Sequence, residues 1–284
     1  MPQAFAPTAI PGVERKRIAV GVEELIKLSP GANSDVLKRA RRLIETYVEE
    51  QATDRAAVLW GEHAQEDYSK LVSEALSLSR ADVLVSVTRH LNRTMEILRS
   101  IDLEAVGAGR RSGGLIGEYL SGLNKKIDTL DELEAARAEL DQLVKLMRAA
   151  LDDLLNLKER LQTQSRRIDE IGDEVEAAAV AAQFLSEHES ARSPELSQRF
   201  LERSMSLTQS AVQIRGSSSM RATQIEQPLR LIGAIQNVAL VLLPGWLGGI
   251  ASLSVLSREE RRLTPTETGE LARQLRNIVE QLQT

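Results

Sequence analysis

Residues 133–185 read LEAARAELDQLVKLMRAALDDLLNLKERLQTQSRRIDEIGDEVEAAAVAAQFL. Leu133, Leu140, Met147, Leu154, Leu161, Ile168, Val175 and Ala182 recur every seven residues. Ala136, Leu143, Ala150, Leu157, Gln164, Ile171, Ala178 and Leu185 follow three positions later. This is an a/d seam of a coiled coil, sustained far beyond the length of a short amphipathic helix. Charged pairs such as Asp152-Asp153 and Arg166-Arg167 flank it, as solvated faces should. Gln164 at a d position and Gly172 interrupt the seam. A helix from residue 126 to 189 would be about 95 Å long at 1.5 Å per residue.

Downstream, the run 190–194 (Ser-Ala-Arg-Ser-Pro) predicts a turn, with Ser193 as a cap and Pro194 in the first helical turn. Phe200, Leu207 and Ile214 then recur every seven residues, with Ser204 and Ala211 beside them. An exposed seam is costly, so the two stretches are expected to fold back as an antiparallel hairpin. The run Gly216–Ser219 is expected to bend or break the returning helix. Leu231–Leu256 then offers 26 residues without a charge. Its length suits a bilayer span. Gln236, Asn237, Pro244-Gly245 and Gly248-Gly249 argue instead for a buried helix ending at Leu243, a turn at Pro244-Gly245, and a second short helix. An amphipathic helix after Pro265 closes the chain.

Upstream, Ser34-Asp35 offers an N-cap for Val36, Leu37, Ala40, Leu43, Ile44, Tyr47 and Val48 on one helical face. Further helical regions run over about 54–80 and 81–101. The predicted organisation is a flexible N-terminal arm (1–30), an N-terminal helical bundle (31–106), a Gly-rich linker (107–122), the long hairpin with its apolar end segment (123–257), and a C-terminal amphipathic helix (258–284). The fold class is therefore all-α: an elongated helical protein built on a long antiparallel coiled-coil hairpin.

Composition agrees. The chain has 284 residues, 42% of them hydrophobic but only 3% aromatic, which favours aliphatic helix packing over a sandwich or barrel. It has no cysteine, which excludes disulfides, thiolate catalysis, a zinc ribbon and an iron–sulfur cluster. A net charge of −5 gives no electrostatic footprint for nucleic acid. The first residues carry Pro2, Pro7 and Pro11 and no apolar core behind a basic start, unlike a secretory signal. His63, His90 and His188 have no ligand-spaced neighbours, so no metal and no cofactor is expected. The one phosphate-like loop is Gly107–Gly114, where Gly109, Arg110, Arg111 and Gly113 are the anion-binding candidates. No strand precedes it and no Lys-Ser/Thr ends it, so a hinge before the long helix is the better reading.

Several local patterns, spread over roughly residues 30–257, resemble the TelA-like toxic-anion (tellurite) resistance family. The first is Val58-Leu59-Trp60-Gly61, followed by Ala64-Gln65, Ser69, Ser73 and Leu76. The second is Ile101-Asp102-Leu103 ahead of a Gly-containing linker and the long helix. The third is Gln209 with Gln213-Ile214-Arg215, closed by Leu243-Pro244 and Trp246. Val212 stands where the family usually shows Pro, and Leu247 where a polar residue commonly follows the Trp. The resemblance implies a cytoplasmic stress or tellurite-resistance protein and supplies no catalytic residues. With neither thiols nor clustered histidines, direct reduction of an oxyanion has no visible apparatus. The expected role is a non-enzymatic scaffold with protein partners. Any membrane contact of that scaffold is expected to be peripheral, at the inner membrane; the alternative is a membrane-active or membrane-anchored helical protein that uses Leu231–Leu256 as helical pore-forming proteins do.

Overall fold

The computed structural model describes residues 18–47, 53–107, 126–258 and 264–283. Twelve helices and one π-helical segment are defined there: α1 (Val22–Leu28), α2 (Ser34–Thr46), α3 (Asp54–Val58), α4 (Glu62–Leu78), α5 (Asp82–Ser100), α6 (Leu103–Gly107), α7 (Leu130–Ala149), α8 (Leu151–Glu189), α9 (Pro194–Gly216), α10 (Ser218–Ala234), the π segment (Ile235–Leu242), α11 (Leu243–Arg258) and α12 (Pro265–Gln281). No strand forms among the described residues; the one bridge joins Ile101 and Ile127. The protein is all-α.

Local sequence sets the helix ends. Asn33 Oδ1 accepts from the N–H groups of Asp35 and Val36 at 2.9 and 2.8 Å, so α2 is capped one residue earlier than Ser34-Asp35 suggests. Ser193 caps α9 through the Leu196 N–H, with Pro194 at the first helical position. Thr129 caps α7, and Thr264 with Glu267 forms a capping box at α12.

The chain divides into two compact units, each made of two separated stretches. The units are discontinuous along the chain, whereas the division expected from the sequence is consecutive. The first unit holds the chain up to Glu74 together with Gln164–Ser219. Here α8 and α9 run antiparallel: Ser197 Oγ donates to Ser186 O at 2.7 Å, and Ser204 Oγ to Ala179 O at 3.0 Å. The seam residues Ile168, Val175, Ala178, Ala182 and Leu185 are buried, as are Phe200, Leu207 and Ile214 opposite them. Gln164 is buried too, its Nε2 donating to Leu71 O at 2.9 Å and to Glu74 Oε2 at 3.2 Å. Residues 18–28 are not an arm: Ile18, Val20 and Leu25 are buried in this unit's core, and 22–28 form α1, whose Glu24 carboxylate accepts from the Gly21 N–H at 3.2 Å. The remainder of the predicted arm, residues 1–17, lies outside the described residues.

The second unit holds Ala75–Thr163 and Met220 onward. Leu133, Leu140, Met147, Leu154 and Leu161 are buried in one large aliphatic core. Their cover is not a single returning helix: α7 packs on α5, on the π segment and on α11, while α12 packs on α5, α6 and α11. Asp102 N–H donates to Ile127 O at 2.9 Å and Ile127 N–H to Ser100 O at 2.8 Å. The two flanks of the Gly-rich segment are therefore pinned together, though 108–125 themselves lie outside the described residues.

Two helix breaks differ from expectation. The seam helix is interrupted at Ala150, which ends α7. The turn expected at Pro244-Gly245 does not form; helix runs on through both. A proline ring inside a regular α-helix clashes with the carbonyl four residues back and removes a hydrogen bond. The π segment widens the preceding turns, and the Leu243 N–H bonds to Val238 O five residues back. Pro244 thus enters in the first turn of α11, directly after the widened turns. Gly216–Ser219 behaves as expected: α9 ends at Gly216 and α10 starts at Ser218.

Candidate functional site

In the first unit, the resemblance residues 60–65 form the joint between α3, α4 and the α8–α9 pair. Gly61 has φ +72°, a left-handed turn that sets the start of α4 at Glu62. A Cβ at Gly61 would lie 3.1 Å from Ala178 Cβ and 3.2 Å from Leu207 Cδ2, so the glycine also permits close approach. The turn delivers Trp60 onto α8, where its Nε1 donates to Ala178 O at 3.0 Å. The indole meets Tyr47 and Phe200 edge-on, with ring centroids 6.3 and 5.8 Å away.

Arg203 of α9 ties this turn down. Its Nε donates to Trp60 O at 2.6 Å and its Nη2 to Gln65 Oε1 at 2.8 Å. Gln65 Nε2 then donates to Ser210 Oγ at 3.0 Å. Partial burial holds the Arg203 guanidinium below its ordinary range, opposed by Glu62. Beneath the aromatics, Tyr47 donates its hydroxyl to the buried Glu189 carboxylate at 2.9 Å. Ala64 is half-buried beside this core.

The other resemblance residues do not join Trp60. Ile214 is buried, close enough to Gly172 that a Cβ there would lie 3.1 Å from Ile214 Cγ2. Arg215 pairs with Glu176 and, at 3.7 Å, with Asp173; Gln213 is exposed. Pro244 and Trp246 belong to the second unit. There Trp246 is 2% exposed and its Nε1 donates to Leu271 O at 3.2 Å, while Pro244 faces solvent. The anion candidates Gly109, Arg110, Arg111 and Gly113 all lie outside the described residues.

Sequence reasoning did not single out Arg203, Glu189 or Ser210, and placed Tyr47 only on the apolar face of its helix. Arg203 and Glu189 look like solvated helix charges when read along the chain. The available signal was scarcity: a chain with so few aromatics places Tyr47, Trp60 and Phe200 together.

Chemically, the joint combines an indole, a guanidinium, a primary amide and a serine hydroxyl. None of these is a base near neutral pH. Among the described residues, no group of three or more His, Asp or Glu is placed to hold a metal ion. His63 and His188 are exposed, His188 stacking on Phe184, and His90 is half-buried on α5 in the second unit. No family model, curated protein or solved structure matches the chain.

Proposed function

We propose that the chain is a TelA-like toxic-anion (tellurite) resistance or stress-response protein that works in the cytoplasm as a non-enzymatic scaffold for other proteins. The observation that supports this reading is the use made of Trp60, Gly61 and Gln65. They lock a turn onto the α8–α9 pair through Ala178, Arg203 and Ser210, so they build a rigid helical platform rather than line a reaction chamber. Expression in a tellurite-sensitive bacterium should raise survival, and Trp60→Ala should lower that protection. Absence of protection would overturn the resistance role. Tellurite reduction by the purified chain would overturn the non-catalytic one.

A second reading keeps Leu231–Leu256 as a membrane element. The stretch 194–252 contains a window apolar and long enough to cross a bilayer by length and composition. Within the second unit, however, Ile235, Val238, Ala239, Leu243, Trp246 and Ile250 are buried in protein. The side these residues form packs into the core, which supports the scaffold reading with any membrane attachment peripheral; the opposite side, with Val241 65% exposed, is what a bilayer would meet. Carbonate washing after ultracentrifugation should leave the chain in the supernatant; carbonate-resistant protein that needs detergent for release would favour the membrane element.

A further inference from the structure

Helix α4 lies against the α8–α9 pair, yet little apolar packing holds it there. Of its 17 residues only Leu71 is buried. By contrast, α2 buries four of its 13 residues and α9 six of its 23. Leu71 joins the small core of Ile168, Val175, Leu207 and Ile214, with Ala64 and Tyr68 half-buried beside it. Leu76, farther along α4, is 52% exposed. Helices in proteins draw most of their stability from the apolar face they bury, and α4 buries little.

Polar side chains supply what packing does not. At the start of α4, Gln65 is fastened to Arg203 and Ser210. Two turns later Gln164 of α8 takes over, its Nε2 donating to Leu71 O at 2.9 Å and to Glu74 Oε2 at 3.2 Å. Gln164 occupies a d position of the seam, where every other heptad from Ala136 to Leu185 places an apolar residue. It is 6% exposed, and its Oε1 is buried without a hydrogen-bond partner. A polar residue at a core position of a helical seam fixes register at a cost in stability. The orphaned oxygen adds to that cost while α4 is down and regains water when α4 lifts. A leucine at 164 would have sealed the seam by burial. The amide instead holds α4 by two directional bonds, opposed by an acceptor that favours opening.

We propose that α4 is a strap and Gln164 its catch. Residues 66–74 leave α8 in a local transition while α8 and α9 stay folded, and they return when the Gln164 amide re-engages Leu71 O and Glu74. The start of α4 is the fixed end, because Gly61 turns the chain there and Arg203 holds Gln65. Opening hydrates Gln164 and uncovers the side of the seam that Leu71 closes. The device does not depend on the resistance or scaffold reading.

Native-state hydrogen exchange of the full chain, read by mass spectrometry, tests this. Local openings appear there as segments that exchange ahead of global unfolding. Backbone amides of 66–74 should exchange at least about tenfold faster than those of 200–214 in α9. Gln164→Ala removes the catch and should speed exchange of 66–74 by about a further tenfold, while 200–214 changes by less than about twofold. Glu74→Ala sits at an exposed position, so the fold tolerates it, and loses one of the two acceptors. It should speed 66–74 by about threefold and leave 200–214 alone. If Gln164→Ala does not fold, Glu74→Ala decides. Exchange of 66–74 in step with 200–214 in the unmodified chain overturns the strap, since α4 would then open only with its unit. Equal acceleration of both segments by the variants overturns it too, because Gln164 would be an ordinary core residue. Unchanged exchange of 66–74 in both variants overturns the assignment of Gln164 as the catch.

Discussion

In the unit that holds Trp60, side chains reach across helices to fixed polar atoms: Trp60 to Ala178 O, Arg203 to Trp60 O, Ser204 to Ala179 O and Tyr47 to the Glu189 carboxylate. In the unit that holds Trp246, a comparable buried bond runs from Trp246 Nε1 to Leu271 O, set in a continuous aliphatic core of Leu, Ile, Val and Ala. Hydrogen bonds are directional, and each leaves a costly orphan if its partner is lost. Apolar burial is non-directional and scales with area. The first unit is therefore specified by a few geometric constraints, and the second by volume. Substitutions in each should fail in different ways.

The largest effect should come from placing a charge in the aliphatic core. Leu154 is fully buried in the second unit. Leu154→Asp removes its packing, worth about 2–5 kcal/mol in comparable truncations, and adds an unpaired carboxylate. A loss of about 5 kcal/mol is expected, enough to unfold that unit at ambient temperature. Denaturant unfolding followed by Trp246 fluorescence would check it, in a Trp60→Phe background so that one indole reports. An unchanged midpoint would mean that position 154 is not buried.

Next in size is Trp60→Ala. The indole is half-buried, so a loss of about 3 kcal/mol is expected from the cavity, the two edge-on aromatic contacts and the broken bond to Ala178. This should lower the unfolding midpoint read at Tyr47 and the neighbouring helices and leave the Trp246 signal in place. A loss of both signals together would merge the two units into one cooperative block and break the comparison.

The two units also differ in how far the linear sequence announces them. The seam from Leu133 to Leu185 was legible because a seven-residue repeat is a local property. Phe200, Leu207 and Ile214 were legible for the same reason, and so was the cap at Ser193, which depends on a few neighbouring residues. What could not be read was partnership at long separation. Nothing near Arg203 says that its guanidinium will close on a carbonyl 143 positions earlier in the chain. The helix through Pro244 was hidden for a different reason: a proline argues against helix interior, yet Pro228 sits inside α10, and the widening at Ile235–Leu242 that precedes Pro244 has no sequence rule of comparable strength. At the candidate site, Trp60, Gly61 and Gln65 could be singled out by pattern, while the atoms that hold them could not.

Smaller losses should mark the constraint-specified unit. Tyr47→Phe keeps the ring and removes the hydroxyl that donates to the buried Glu189, at a cost of about 1–3 kcal/mol. Gly61→Ala should cost a similar amount, since alanine must adopt φ +72° with its Cβ 3.1 Å from that of Ala178. Urea midpoints of the two variants, compared with a surface control such as Gln213→Ala, would measure both. If Gly61→Ala is neutral, the close approach of α8 is looser than its geometry implies, and the unit is specified by burial like its counterpart.

The smallest effect has the opposite sign, and it isolates what a glycine does in each unit. Gly248 lies in the interior of α11, and a Cβ there would meet nothing within 4 Å. Its backbone is not in the left-handed region, where Gly61 alone among the described glycines sits. Alanine at 248 therefore adds no clash and no strain. It removes conformational freedom from the unfolded chain and the helix penalty of glycine, so Gly248→Ala should stabilise the second unit by about 0.5–1 kcal/mol. For a protein of this size that is a rise of about 2 °C in the midpoint read at Trp246. Its neighbour supplies the control: a Cβ at Gly249 would approach Leu271 Cδ2 to 2.7 Å, so Gly249→Ala must displace that side chain and should lose the gain. Should Gly248→Ala destabilise instead, the outer face of α11 is covered by something that needs the glycine, and the volume-specified unit would share the close-approach constraint seen at Gly61.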